Sequence, residues 1–384
     1  MTNASRRPMR RLAAVALCAL ALAGCSTVSG WFGGTTAPKP AELTANPATF
    51  AVRQAWTARL GPVNLALRVA VSGTSVVAAA SDGSVAAFDA ATGRELWRGN
   101  VGGPVAAGVG TDGKVVAVVT QSNDLVALEG GRELWRQRLP SVAYTPPLVA
   151  GERVFVHTAD RAVSAFDGQT GKRLWTQTRP GEALVLRHPG VMLAVGDTLV
   201  VGLSGRLAGL NPNTGASRWE QPIASPRGLN DVERLVDLVG PASRVGDSVC
   251  ARAFQASVGC VDAVRGQLQW TKPSSGSDGL SGDGAQLYGT EQDGKVLAWN
   301  RTNGDKGWTS ELLLHRGVTA PLLLGRSVVV GDAFGYLHLL SREDGKLLNR
   351  LPTDGSAIAA PPVLAGNTLV AVTRNGGVYG FVPD

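Results

Sequence analysis

Between residues 66 and 383 the apolar positions come in short runs rich in Val, Ala and Leu, each closed by a turn built on glycine, aspartate or asparagine. Residues 75–97, SVVAAASDGSVAAFDAATGRELW, show the unit. An apolar run is followed by an Asp-Gly turn, a second apolar run, a Thr-Gly turn and a strand carrying tryptophan. Short runs with this punctuation predict antiparallel hairpins. No helical apolar period appears, which excludes a helical repeat.

The unit recurs. Aligned on Gly-x-x-x-Trp, it ends at Trp97, Trp135, Trp175, Trp219, Trp270 and Trp308, and a further copy ends in Asn349 instead. Trp56 is an orphan of the same kind near the start, and GGVYGFV (residues 376–382) is a matching orphan strand at the end. Each copy also carries an inner turn, at Gly73, Gly113, Gly151, Gly196, Gly246, Gly282, Gly325 and Gly366. Four antiparallel strands repeating every ~40 residues predict an all-β fold, an eight-bladed β-propeller of four-stranded blades. The N- and C-terminal strands would share one blade and close the ring. One tryptophan per blade (Trp56 through Trp308) reads as packing between neighbouring blades, not as chemistry.

The rhythm breaks twice. From the tryptophan position to the next inner turn the chain takes 12 to 17 residues in six copies, but 21 from Trp175 to Gly196 and 27 from Trp219 to Gly246. Both insertions join the outer strand of one blade to the inner strand of the next. They are consecutive, so they should rise side by side on one face, where repeat proteins often bind partners. The first, GEALVLRHPG, offers Leu184, Leu186 and Arg187, with alternation placing the two leucines on one side. The second, SPRGLNDVERLVDLVGP, offers Asp231, Glu233, Arg234, Leu235 and Asp237. Apolar anchors beside an acidic-apolar loop fit an interface centre with a polar rim.

The N-terminus sets the compartment. Arg6, Arg7, Arg10 and Arg11 precede LAAVALCALALAG, an apolar run too short to span a bilayer. It ends Leu22-Ala23-Gly24-Cys25, which resembles the lipobox of bacterial lipoproteins. That resemblance implies cleavage before Cys25 and acylation of that residue, with Ser26 in place of the aspartate that retains such proteins in the inner membrane. Residues 1–24 are then a signal peptide, residues 25–50 a lipidated cysteine and flexible tether, and residues 51–384 the propeller. Removing the four signal arginines lowers the formal charge from +7 to about +3, too little for nucleic-acid binding. Cys250 and Cys260 fall on successive strands in an oxidising compartment. A two-residue turn at Gln255-Ala256 would set Cys250 opposite Val261 and keep the thiols apart, so a disulfide needs an odd loop or a bulge.

The tryptophan-terminated repeats resemble the PQQ-like propeller family. The stretch LLLHRGVTAPLLLGRSVVVGDAFGYLHLLSREDG (residues 312–345) resembles, within it, the BamB family of lipoproteins of the outer-membrane β-barrel assembly machinery. The resemblance implies a non-catalytic scaffold on the periplasmic side of the outer membrane that binds the POTRA domains of BamA and assists nascent outer-membrane proteins. In that family a Leu-x-Leu-Arg loop and a neighbouring acidic loop contact the POTRA domains. These correspond to Leu184, Leu186 and Arg187, and to Arg234, Leu235 and Asp237, with Val239 where the family pattern has a second aspartate. The rival reading is a PQQ-dependent dehydrogenase or a propeller binding a small ligand. No Cys-Cys dipeptide, carboxylate cluster or paired histidine spacing supports it, so no catalytic residue, metal or cofactor is expected.

Overall fold

In the computed structural model, residues 38–179, 184–226, 230 and 234–383 are described. The described residues from Pro40 onward form one compact unit. The described residues contain thirty-three strands and no helix, arranged as eight antiparallel sheets in a ring. Blade 1 combines Val363–Ala365, Thr368–Val372 and Gly377–Pro383 with the N-terminal strand Val52–Arg59, which closes the ring. Blades 2 to 8 follow in chain order and span residues 70–100, 105–138, 148–178, 192–222, 238–273, 280–310 and 322–352. The second and third strands of each blade are mostly buried, while the innermost and outermost strands are partly exposed. One strand was not foreseen: Ala66–Leu67 pairs parallel with the inner strand Val105–Thr111 and makes blade 3 five-stranded.

The Gly-x-x-x-Trp motif now has a physical reason. The indole of one blade lies against the motif glycine of the next: Trp56 on Gly93, Trp97 on Gly131, Trp135 on Gly171, Trp175 on Gly215, Trp219 on Gly266, Trp270 on Gly304 and Trp308 on Gly345. At Gly171 a β-carbon would stand 2.5 Å from Cδ2 of Trp135, and the backbone is left-handed (φ +69°). Only glycine satisfies both conditions. The indole N–H donates to a carbonyl in the next blade, as from Trp135 to Gly168 (2.9 Å) and from Trp270 to Arg301 (2.8 Å).

Asn349 breaks the motif because its neighbour is the ring-closing blade. The last two strands of that blade come from opposite ends of the chain, so no glycine turn joins them. Asn349 instead donates to the Phe50 carbonyl (2.7 Å) and accepts from Asn46 (2.9 Å). Around it residues 41–50 run as a strap. Arg326 covers the Phe50 ring and donates to Thr49, Arg350 holds the Thr44 carbonyl, and Ala41 is held by Leu314 and Arg316. Propeller contacts therefore begin near residue 40, not at residue 51 as expected. The strap starts on the face that carries the outer-to-inner connections, beside the loop between blades 7 and 8.

Two other expectations change. Gly282 ends the strand Leu280–Gly282, and the inner turn of blade 7 is Asp283-Gly284, with the Asp283 carboxylate accepting from Ala285 and Gln286 N–H (both 2.9 Å). The hairpin Ser248–Ala253 to Ser257–Asp262 has a three-residue loop with Gln255 left-handed (φ +49°). That extra residue shifts the register by one. Cys250 faces Cys260, not Val261, and the two are joined as a disulfide.

Candidate functional site

The long connections run from blade 4 to blade 5 (residues 179–191) and from blade 5 to blade 6 (residues 223–237). They emerge on the face that also carries the turns between second and third strands. Asp231 and Glu233 lie outside the described residues.

The two insertions are locked into one surface. The Asp237 carboxylate reaches across from the second insertion to the first, accepting the Leu186 N–H at 2.9 Å with one oxygen. Its other oxygen pairs with Arg161 Nη1 at 3.3 Å. Arg161, from the second turn of blade 4, also donates through Nη2 to the Leu184 carbonyl at 3.0 Å. Nearer the ring axis, Gly190 bridges to Val239, Gly240 N–H donates to the Pro189 carbonyl (2.8 Å), and Gly190 N–H donates to Thr145 (3.1 Å). A charge-assisted bond to a backbone N–H is stronger than a neutral one, so Asp237 is the main tie between the loops.

This lattice decides which side chains face outward. Leu184 is 39% exposed. Arg187 is exposed and makes no ion pair among the described residues. Leu186, Arg234 and Leu235 are half-buried. The expected alternation does not govern the first loop, because residues 184–186 are not a strand: Val185 and Leu186 both line a small cavity of about 40 Å³. Asp237 is committed inside the molecule. Val239 is 1% exposed in the inner strand of blade 6 and lines the same small cavity.

Sequence reasoning missed the groups beneath the loops. His157 lines the same cavity, and its Nε2 has no hydrogen-bond partner among the described residues. Burial pushes its pKa down to about 4, the nearby Arg161 cation adds to this, and the Asp237 and Asp160 carboxylates only partly oppose it. His188, in the first insertion, stands 3.5 Å from Asp278 in the connection between blades 6 and 7. Burial lowers its pKa, but the bond to Asp278 outweighs burial and the net shift is upward. One signal for Arg161 was readable. Its turn position is glycine in five other blades (Gly83, Gly205, Gly294, Gly335 and Gly376), all left-handed, and Arg161 takes the same conformation (φ +62°).

No three His, Cys, Asp or Glu side chains among the described residues converge to hold a metal ion. Eight blades, seven of their eight junctions seamed by a tryptophan, with paired loops on one face, define a β-propeller of the PQQ-like repeat class. A family profile described as "Outer membrane protein assembly factor BamB" matches residues 81–310 and 302–382. The BamB of Burkholderia pseudomallei is 39% identical over 98% of this chain and 99% of its own length. The crystal structure of BamB from Moraxella catarrhalis superposes with a TM-score of 0.79 at 27% identity, covering 86% of this chain and 99% of that one. A quinohemoprotein alcohol dehydrogenase from Comamonas testosteroni also superposes, with a TM-score of 0.67, 15% identity and coverage of 89% of this chain and 78% of that one. At that identity the likeness shows the fold alone. The chain belongs to the BamB family of outer membrane protein assembly factors.

Proposed function

We propose that this assembly factor is a non-catalytic scaffold whose paired insertions grip the periplasmic POTRA domains of BamA. The observation that carries the reading is the lock between the loops. The described residues of two consecutive connections, longer than the rest, are tied together through Asp237 and Arg161, with Leu184 and Arg187 turned outward. An ordered apolar anchor beside an uncommitted guanidinium, rimmed by half-buried Arg234 and Leu235, suits a protein interface, because little entropy is lost on binding. Asp237 serves this surface from within.

Residues 1–24 act as the signal peptide, Cys25 takes the lipid, and residues 26–39 form the tether to the periplasmic side of the outer membrane. Two or more acyl chains anchor a protein stably. The ordered strap supports this arrangement by starting on the insertion-bearing face.

A photo-crosslinking residue in place of Leu184, activated in cells, should give an adduct with the POTRA domains, and one in place of the exposed Leu364 on blade 1 should not. Equal yields from both positions would sink the assignment. Contact with nascent outer-membrane proteins is a second reading, favoured by exposed leucines on consecutive outer strands, Leu96, Leu134 and Leu174.

A further inference from the structure

We infer that Arg161 is a positioning residue for the partner surface: it touches no partner, and it sets the Leu184–Arg187 loop against the second insertion. The inference rests on the partner reading above.

The first argument is backbone conformation. The turn between the second and third strands needs a left-handed residue, which an L side chain adopts reluctantly and glycine adopts freely. Five blades use glycine there, with φ between +78° and +95°. Blades 3 and 6 use Asn123 (φ +65°) and Gln255 (φ +49°), and blade 4, directly under the first insertion, uses arginine, the longest and only charged side chain of the three. A bulky residue held in a disfavoured conformation points to work done by its side chain.

The second argument is what that side chain does. It is 5% exposed, so its charge must be matched inside the protein. It is matched by a bond to the Leu184 carbonyl in one insertion and to the Asp237 carboxylate in the other, while Asp237 takes the Leu186 N–H. Arg161 and Asp237 therefore fix both ends of the Leu184–Leu186 segment. The third argument is neighbourhood. Gly205, the same turn position in blade 5, lies under the second insertion, where a β-carbon would stand 2.9 Å from Cγ2 of Val236. One turn keeps glycine so that an insertion can approach; the adjacent turn gives glycine up to hold its insertion down.

Arg161→Gly separates positioning from simple stability. It restores the residue best suited to the backbone while removing the side chain. The expected result is a melting temperature that changes little, the relief of backbone strain offsetting the ion pair lost from Asp237, a Leu186 amide that exchanges at least tenfold faster, and POTRA affinity reduced about tenfold. Arg161→Lys keeps the charge but loses the two-armed geometry and should fall between. Exchange is read without partner and binding is read separately. Unchanged Leu186 exchange overturns the inference. Faster exchange with full affinity also overturns it, since the partner would not need the loop held. Failure of the wild-type protein to bind POTRA domains overturns the partner reading on which the inference stands, and is seen in the control.

Discussion

If the indole–glycine contacts are the seams of the ring, Trp135 and Gly171 must be energetically coupled with a predictable sign. Trp135 is 8% exposed, so Trp135→Ala should cost about 3–5 kcal/mol. Gly171→Ala faces two penalties. A left-handed alanine costs about 1–2 kcal/mol. The added methyl, 2.5 Å from Trp135 Cδ2, costs a further 1–3 kcal/mol or so through overpacking. Once Trp135 is alanine, the steric penalty disappears and only the backbone penalty stays. The double variant should therefore be more stable than the sum of the single effects predicts, by about 1–3 kcal/mol. Urea unfolding followed by circular dichroism, with midpoints and slopes compared across the cycle, measures this. Strict additivity would show that the seams are not built on these contacts.

Two further predictions follow from the same geometry. His157 has a folded pKa of about 4, below the ordinary value of 6.5, so the unfolded chain binds more protons between those values. The stability that neutral His157 allows is complete above about pH 6.5 and is lost as pH falls toward 4, about 3 kcal/mol in all; His157→Leu should flatten that slope, and an unchanged slope would refute the assignment. A chain starting at residue 51 should be about 2 kcal/mol less stable than one starting at residue 38, because Arg326, Arg350 and Asn349 lose their strap partners. Equal stability would return residues 40–50 to the tether.

Much of this architecture could be read from the chain because its determinants are local. Seven of the eight blades advertise themselves by a glycine that must leave room for the previous indole, and counting the Trp positions, with Asn349 in the last, counts the blades. The two insertions were visible for the same reason, as departures from a fixed spacing. What escaped depends on contacts between distant segments or on one dihedral angle. The register of Cys250 and Cys260 turns on Gln255 adopting a left-handed conformation in a three-residue loop. The strap was invisible because its partners, Arg326 and Asn349, lie about three hundred residues away. That the Asp237 carboxylate ties the two loops together was not legible, because a sequence shows a side chain's chemistry and not its direction. Arg161 could have been found by asking why, among the turns that replace glycine, the one beside the first insertion holds an arginine.

The central claim is that the locked insertions are the partner surface. The direct measurement is the affinity of residues 38–384 for purified POTRA domains, wild type against Leu184→Ala/Leu186→Ala/Arg187→Ala. The account predicts at least a thirtyfold loss, about 2 kcal/mol, with circular dichroism and the unfolding midpoint unchanged. Undiminished affinity in the triple variant would contradict it and move the interface elsewhere on the propeller.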